Sequence, residues 1–164
     1  MSRSQNLFYQ ILSIILASIF ASLIFNQLRS KPLPLLKERV EIISELENLN
    51  IASLEPSITG INIKLALKLF EEKVLFVDAR AEEYYREGHI PNAICNDDFD
   101  ILAEQLEMAI GMDDPFVVYC SDDDCGSSED LSYELQSYGF TNILLFKGGW
   151  EEWMDTGLPM EENE

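Results

Sequence analysis

Short apolar runs alternate with helix-like segments through the second part of the chain, and this alternation constrains the fold more than any other feature. The longer runs contain almost no polar residue, which is typical of strands buried on both faces of a sheet. They are "VLFVD" at 74–78, "FVVYC" at 116–120 and "NILLF" at 142–146, with a brief run, "INI", at 61–63. Helical patterns fill the gaps, at 64–72, 98–111 and 128–139. The alternation predicts an α/β domain with a mainly parallel sheet.

The polar residues that end two of these runs predict where chemistry takes place. In parallel α/β sheets, binding and catalytic groups collect at the carboxyl edge, beyond the strand ends. Asp78 ends one run and Cys120 ends another. We therefore expect Asp78 and Cys120 to lie at the same edge of the sheet.

Residues 7–28 form an uncharged, apolar stretch near the amino terminus. At about 1.5 Å of rise per residue, a helix of this length crosses a hydrocarbon core of roughly 30 Å. A cleaved signal peptide is the alternative, but cleavage needs small residues at the third and first positions before the cut, and no such pair occurs between Ala17 and Ser22. A buried soluble helix would show a polar face, which the scattered serines do not form. We predict a retained transmembrane anchor.

The charges that flank this stretch are compatible with either side of the membrane for the carboxy-terminal domain. Arg3 and the terminal amine precede it, whereas four basic residues follow it at 29–39. The positive-inside bias places the carboxy-terminal domain in the cytoplasm. Arg3 in so short a leading tail also fits a signal anchor that exports the domain to the periplasmic or extracellular side.

Charge is divided unevenly along the chain. Residues 1–40 hold five of the 11 basic residues and one of the 30 acidic residues, so residues 41–164 carry six basic and 29 acidic residues, a net charge of −23. A surface with this field repels nucleic acid, because nucleic acid is bound through Lys and Arg. We therefore expect no nucleic-acid partner.

The chain divides into an anchor, a juxtamembrane connector, one α/β domain and an acidic tail. We place these parts at 1–28, 29–57, 58–160 and 161–164. Within the connector, "PLP" forbids an immediate helix. Apolar residues then recur at helical spacing: Leu36, Val40, Ile43 and Leu46. We expect a helix there whose apolar side packs on the domain or on the membrane surface.

Three motifs occur in an order that resembles the rhodanese-like domain family. "FVDARAEEYYREGHIPNA" at 76–93 is similar to the motif that follows the second strand of the family. "VVYC" at 117–120 resembles the strand that ends in the active-site cysteine, and "GGWEEWMDTGLP" at 148–159 resembles the closing motif. Three matches in order are far more specific than any one of them. The resemblance covers residues 58–160.

This resemblance implies a sulfurtransferase fold, with a five-stranded, doubly wound parallel sheet and helices on both faces. It also implies that Cys120 is the catalytic residue and carries sulfane sulfur as a persulfide. The partners are then a sulfane-sulfur donor and a thiol acceptor, and neither a metal nor an organic cofactor is needed. The active-site loop comprises residues that follow Cys120: Ser121, Asp122, Asp123, Asp124, Gly126, Ser127 and Ser128.

The position of Cys120 suits this chemistry on physical grounds. A loop between a strand end and a helix start turns backbone N–H groups inward, and the helix amino terminus adds positive potential, which stabilises a thiolate or persulfide. "SSED" at 127–130 supplies the helix start, with Ser127 as the cap and Asp130 three residues on, close to a capping box. The Cys120 thiolate would attack the sulfane sulfur of a donor and release it to an acceptor.

The loop departs from the family pattern in its charge. Family members that handle thiosulfate usually place a cation in this loop, whereas "CSDDDCGSS" at 120–128 has none. Asp122, Asp123 and Asp124 would raise the pKa of a nearby thiol and repel an anionic donor, unless they point into solvent as aspartates commonly do. We expect a neutral, cationic or protein-bound sulfur partner rather than thiosulfate.

Cys125 and Cys95 give rise to separate expectations. Cys125 follows Cys120 on the same loop, near enough for a disulfide, which needs Cα atoms about 4.4–6.8 Å apart. Cys125 either resolves a persulfide or sulfenate on Cys120 or packs the loop as a small buried side chain. Two thiolates alone do not complete a zinc site, so we expect no metal. Cys95 follows a strand suggested by "AICN" at 93–96 and is expected in the core.

Several residues near this edge are expected to have structural roles. Asp78 and Arg80 are expected to form an ion pair and cap near the carboxyl edge of the sheet. Arg80 is also the nearest candidate for an anion contact. His89, the single histidine of the chain, belongs to the "GHIP" turn of the family motif rather than to the reaction centre. Trp150 and Trp153 are expected to pack the closing segment against the sheet.

Three functions follow from these observations. The first is a membrane-anchored rhodanese-like sulfurtransferase that works through a persulfide on Cys120. The second is a dithiol redox or thiol-relay protein in which Cys120 and Cys125 cycle through a disulfide. The third is a catalytically silent rhodanese-like module whose acidic loop recognises a basic partner protein.

Overall fold

The computed structural model describes residues 3–28, 42–43, 56–122 and 125–162. The chain divides into two compact units, Met1–Arg39 and Val40–Glu164. The first unit contains helix α1 (Arg3–Leu28). Within it, the span Phe8–Leu28 has a mean hydropathy of 2.1, no part of it is buried, and it is long and apolar enough to cross a membrane. The predicted amino-terminal apolar helix is therefore present.

The second unit alternates strands and helices, as the apolar runs predicted. Its elements are β1 (Ile42–Ile43), β2 (Ser57–Ile61), α2 (Ile63–Glu71), β3 (Leu75–Asp78), α3 (Glu82–Glu87), α4 (Phe99–Ala109), β4 (Phe116–Tyr119), α5 (Ser127–Tyr138), β5 (Asn142–Phe146) and α6 (Gly149–Asp155). The strands form one sheet in the order β1-β2-β5-β4-β3, and every neighbouring pair is parallel. The predicted α/β class is confirmed.

Helices cover both faces of the sheet, which explains why the strands are apolar without interruption. Side chains of successive strand residues point to opposite faces. Phe76 thus belongs to the core cluster under α2 and α6, while Val77 belongs to the cluster under α4 and α5. On the first face the helices contribute Leu65, Leu69, Trp150 and Trp153. On the second face they contribute Leu102, Leu106 and Leu135.

The predicted connector helix is wrong at Ile43. Ile42 and Ile43 form β1, which pairs with Gly60 and Ile61 at the edge of the sheet. The other residues of that predicted helix lie outside the described residues. β-branched isoleucines suit a strand, and the open edge of β2 supplies backbone partners that the helical spacing of the sequence does not reveal.

Two other strand predictions are shifted or wrong. β2 ends at Ile61, so only the first residue of "INI" is in a strand. Asn62 caps α2 with its side chain accepting a hydrogen bond from the Leu65 N–H at 3.0 Å, and Ile63 begins that helix. The strand suggested by "AICN" does not form. Ile94 makes only an isolated parallel bridge with Val77.

The carboxy-terminal end of the domain extends beyond the predicted boundary at residue 160. Glu161 forms an antiparallel bridge with His89, with backbone N···O distances of 2.9 and 3.0 Å. Its carboxylate also accepts a hydrogen bond from the Asn92 N–H at 3.1 Å. Glu161 is therefore part of the folded domain, because it satisfies backbone groups of the "GHIP" turn.

Candidate active site

Asp78 and Cys120 lie at the carboxyl edge of the sheet, as predicted. β3 ends at Asp78, whose partner across the sheet is Tyr119, the last residue of β4. Cys120 follows directly and is buried, with 3% of its surface exposed. The N–H of Ala79 donates to the Tyr119 carbonyl at 2.8 Å, which holds the two strand ends together.

Cys120 and Cys125 are joined by a disulfide, with their Cα atoms 6.2 Å apart. The loop between them curls so that the Cys125 N–H donates to the Asp122 carbonyl at 3.3 Å. Cys120 is buried, whereas Cys125 is partly exposed. Asp123 and Asp124 lie outside the described residues.

The amino-terminal end of α6 holds the start of this loop. The Trp150 N–H donates to the Cys120 carbonyl at 2.8 Å, and the Glu151 N–H donates to the Ser121 carbonyl at 2.9 Å. Gly149 makes the approach possible, because its φ is +59° and a Cβ there would lie 2.4 Å from the Cys120 carbonyl oxygen. The second residue of the "GGW" motif must therefore be glycine, and the sequence pattern did not predict this requirement.

The loop ends at α5, whose start differs from the prediction. Gly126 is the N-cap residue and no side chain caps the helix. Ser127 is already helical, and the Asp130 N–H donates to the Gly126 carbonyl at 3.0 Å. The predicted capping box is wrong, because the helix begins one residue early and Ser127 is not in the cap position. Ser128, the next loop residue, is buried in the first turn.

Asp78, Arg80 and Tyr119 form a buried network beside Cys120. The predicted ion pair is present, with the Arg80 guanidinium 2.6 Å from Asp78 Oδ2. The Tyr119 hydroxyl donates to the same carboxylate at 2.7 Å and accepts from the Ile90 N–H at 3.2 Å. Burial and the Asp78 charge raise the pKa of Tyr119 well above its usual value. The role of Tyr119 was missed, because its side chain sits within an ordinary strand pattern.

Arg80 contacts several groups in addition to Asp78. Its guanidinium donates to the Gly88 carbonyl at 2.7 Å as well as to Asp78. It also lies over the Trp150 ring, 4.9 Å from the ring centre. With 6% of its side chain exposed, Arg80 braces the "GHIP" segment and α6, and it lines a neighbouring cavity together with its partner Asp78.

A second ion pair at this edge was not predicted. Lys147 follows β5, and its ammonium group contacts the carboxylate of Glu129 in the first turn of α5. Both side chains are mostly buried. Arg80 and Lys147 are therefore both paired with carboxylates, which reduces the positive charge that either could offer to an anionic donor.

His89 has the structural surroundings that its motif predicted. The side chain is buried and stacks on Tyr85, with ring centres 3.7 Å apart. Its Nδ1 lies 2.8 Å from the Tyr85 carbonyl oxygen. These contacts account for the histidine without a catalytic role.

Cys95 is a free cysteine that is partly buried. Its thiol donates to the Arg80 carbonyl at 3.3 Å. Burial, followed by the charges of Asp78 and Asp97, raises its pKa to about 12. The thiol therefore stays protonated at neutral pH and contributes packing rather than nucleophilic chemistry.

A cavity of about 340 Å³ opens beside the connection from β3 to α3. Ala79 forms part of its wall, and the Ala79 N–H donates a hydrogen bond to the carbonyl of Tyr119, the residue before Cys120. The ion-paired Asp78 and Arg80 line the cavity, Asp97 and Glu134 add carboxylates, and the apolar surface includes Phe99 and Leu131. Across the residues that the structure describes, no group of three or more His, Cys, Asp or Glu is placed to hold a metal ion.

A parallel sheet with helices on both faces, and a cysteine loop at the carboxyl end of a central strand, define a single-domain α/β protein of the rhodanese type. The family model for the rhodanese-like domain matches residues 63–156. The chain belongs to the rhodanese-like domain family.

The similar proteins agree with this assignment. The chain is 31% identical over 96 residues to the thiosulfate sulfurtransferase GlpE of Pseudomonas syringae pv. syringae, a match that covers 58% of this chain and 86% of that protein. It is also 31% identical over 91 residues to GlpE of Pseudomonas savastanoi pv. phaseolicola, covering 56% of this chain and 82% of the relative. These relatives support the predicted enzyme class, sulfurtransferase.

Solved structures share the fold. The BH2092 protein of Bacillus halodurans superposes with a TM-score of 0.54 at 21% identity, covering 66% of this chain and 77% of that one. The predicted fold, including its five parallel strands, is confirmed.

Proposed function

We propose that the protein is a membrane-anchored rhodanese-like sulfurtransferase that carries sulfane sulfur as a persulfide on Cys120. The observation that carries this proposal is the position of Cys120, which follows β4 at the carboxyl edge and has its carbonyl held by the Trp150 N–H at 2.8 Å. That hydrogen bond fixes the cysteine relative to the amino end of α6, and the loop after Cys120 leads to the amino end of α5, whose positive potential favours a thiolate. The GlpE relatives, named thiosulfate sulfurtransferases, support the reaction class.

The reaction starts from the reduced loop. Opening of the Cys120–Cys125 disulfide frees the Cys120 thiolate, which attacks the sulfane sulfur of a donor and expels the remainder of the donor. A thiol acceptor then takes the outer sulfur from the Cys120 persulfide. Neither step requires a metal or an organic cofactor.

We propose that donor and acceptor are neutral, cationic or protein-bound rather than small dianions. Arg80 and Lys147 are each paired with a carboxylate. The neighbouring cavity adds the carboxylates of Asp97 and Glu134. Negative potential of this kind lowers the local concentration of an anion and raises that of a cationic thiol.

We propose that α1 anchors the domain to a membrane through residues 7–28. The span is apolar and none of its residues is buried, which favours lipid as its surroundings. The positive-inside bias favours the cytoplasmic side. Fractionation tests the anchor, since an anchored chain stays in the membrane pellet after an alkaline wash and dissolves only in detergent. Protease digestion of intact cells tests the side, because a cytoplasmic domain stays intact.

Intact-protein mass spectrometry tests the persulfide. The reduced full chain in detergent is exposed separately to thiosulfate and to aminoethyl persulfide, beside Cys120→Ser and Cys125→Ser. We expect a gain of one sulfur atom that requires Cys120 and that Cys125→Ser retains, with aminoethyl persulfide as the better donor. No gain with either donor, in any variant, would contradict the proposal and favour the silent binding module.

The disulfide supports a second candidate function, a dithiol redox protein. Cys120 and Cys125 are bonded, and the partial exposure of Cys125 gives a reductant access to the bond. A loss of two hydrogens in the native protein that needs both cysteines, together with no gain of sulfur in Cys125→Ser, would identify a thiol relay rather than a sulfurtransferase.

A further inference from the structure

We propose that Cys125 resolves the Cys120 persulfide and releases its outer sulfur as hydrogen sulfide, so that the protein is a dithiol-dependent sulfide-releasing enzyme. This inference rests on the proposed persulfide at Cys120. The Cys125 thiolate attacks Cys120 Sγ, the Sγ–S bond of the persulfide breaks and hydrosulfide leaves. Cys120–S–SH and Cys125–SH thereby become Cys120–S–S–Cys125 and H2S. The two thiols lose two electrons and the sulfane sulfur gains them.

The structure contains the product of this step. Cys120 Sγ and Cys125 Sγ are bonded, and their Cα atoms are 6.2 Å apart, within the range of about 4.4–6.8 Å usual for disulfides. The bond forms while the Cys120 carbonyl keeps its hydrogen bond from Trp150 and the Cys125 N–H bonds to Asp122. The disulfide is therefore compatible with the contacts that hold either end of the loop.

The electrostatics of the site favour this internal nucleophile over an external anion. Thiolate, sulfite and cyanide acceptors carry negative charge, and residues 41–164 have a net charge of −23. Arg80 and Lys147 are both paired with carboxylates. A thiol on the same loop does not have to diffuse to the site against this electrostatic repulsion, and its effective concentration far exceeds that of a dissolved acceptor.

Cys95 does not compete for this role. Its thiol donates to the Arg80 carbonyl at 3.3 Å, and burial raises its pKa to about 12. Attack on a persulfide needs a thiolate. Among the three cysteines, Cys125 alone combines contact with Cys120 and partial exposure to solvent.

The oxidised loop requires a dithiol reductant to complete the cycle. Cys120 is buried, whereas Cys125 is partly exposed, so the reductant attacks Cys125 Sγ. Cys120 then leaves as a thiolate, and the second thiol of the reductant displaces Cys125. The dithiol becomes a disulfide and the protein regains both thiols, which balances the two electrons delivered to sulfide.

Single-turnover loading of the full chain in detergent tests the inference. The protein is reduced, freed of reductant and given aminoethyl persulfide, and sulfide and intact mass are followed together. We expect about one sulfide per chain and a loss of two hydrogens in the native protein. Cys125→Ser and Cys125→Ala should instead keep one added sulfur atom and release at least about tenfold less sulfide, because the internal nucleophile is gone. Cys95→Ser is the matched control and should behave as the native protein.

The outcomes separate this inference from the proposed function. Suppose that Cys125→Ser gains sulfur and that the native protein releases sulfide no faster than Cys125→Ser. The resolving role is then overturned and the sulfurtransferase stands. If Cys125→Ser and Cys125→Ala gain no sulfur although Cys120 is present, both are overturned. Cys120→Ser measures the sulfide that the donor releases by itself.

Discussion

The main-chain N–H of Trp150 donates a hydrogen bond to the carbonyl oxygen of Cys120 at 2.8 Å. This contact joins the first turn of α6 to the beginning of the active-site loop. The neighbouring Gly149 must remain a glycine for the two segments to approach so closely. The closing motif of the sequence thus positions Cys120, the proposed nucleophile, through its backbone.

Gly149→Ala tests that relationship. An alanine at a φ of +59° is strained by about 1–2 kcal/mol, and its Cβ would also lie 2.4 Å from the Cys120 carbonyl oxygen. We expect a loss of unfolding free energy in urea and slower sulfur loading of Cys120. Gly157→Ala is the matched control, since Gly157 has a φ of +70° and nothing lies within 4 Å of its added Cβ. Equal losses in the two variants would show that the contact with Cys120 does not matter.

Asp78→Ala tests the buried network. The change leaves the Arg80 guanidinium and the Tyr119 hydroxyl without the carboxylate that both contact at 2.6–2.7 Å. Removal of one partner from a buried ion pair costs about 3–5 kcal/mol. Tyr119→Phe keeps the ion pair and should cost only about 1–2 kcal/mol. Urea unfolding monitored by tryptophan fluorescence measures both, and a smaller loss for Asp78→Ala than for Tyr119→Phe would contradict this assignment.

Glu129→Gln tests the electrostatic account of donor choice. The substitution removes one negative charge at the start of α5 and releases Lys147 from its ion pair. We expect the variant to lower the energy of an approaching dianion by about 1 kcal/mol. Cys120 should then react with thiosulfate roughly fivefold faster. Glu71→Gln makes the same charge change at an exposed residue at the end of α2 and should have little effect.

Ionic strength provides the check on this prediction. Added salt screens charges beyond about 10 Å at 0.1 M. Thiosulfate loading of the native protein should therefore rise with salt, and loading by aminoethyl persulfide should not. An unchanged thiosulfate rate in both Glu129→Gln and high salt would remove the charge-based explanation.

Cys95 should resist alkylation well above the ordinary thiol pKa of 9.0, because burial raises its pKa to about 12. Below pH 9 its thiol is protonated in both the folded and the unfolded chain. Between pH 9 and about 12 only the unfolded chain ionises it, so its contribution to stability falls over that window. We expect iodoacetamide at pH 9 to label the reduced Cys125 before Cys95, as measured by peptide mass spectrometry. Faster labelling of Cys95 would contradict its placement.

The sequence by itself determined the class of fold and the edge at which the chemistry lies. Uninterrupted apolar runs require burial on both faces, and burial on both faces requires a parallel sheet between two layers of helices. Asp78 and Cys120 follow strands, so they had to reach the same edge. The Asp78–Arg80 pair was also predictable, since its two residues are close in the chain.

The tertiary structure decided the contacts between residues that are distant in sequence. Ile42–Ile43 form a strand because the edge of β2 is available, although their spacing indicated a helix. The Lys147–Glu129 ion pair and the Tyr119–Asp78 hydrogen bond join residues on different elements. No local pattern encodes them, because each depends on which strand ends become neighbours in the sheet. The Cys120–Cys125 disulfide differs from these contacts, because its two cysteines lie five residues apart on one loop and their spacing already allowed it.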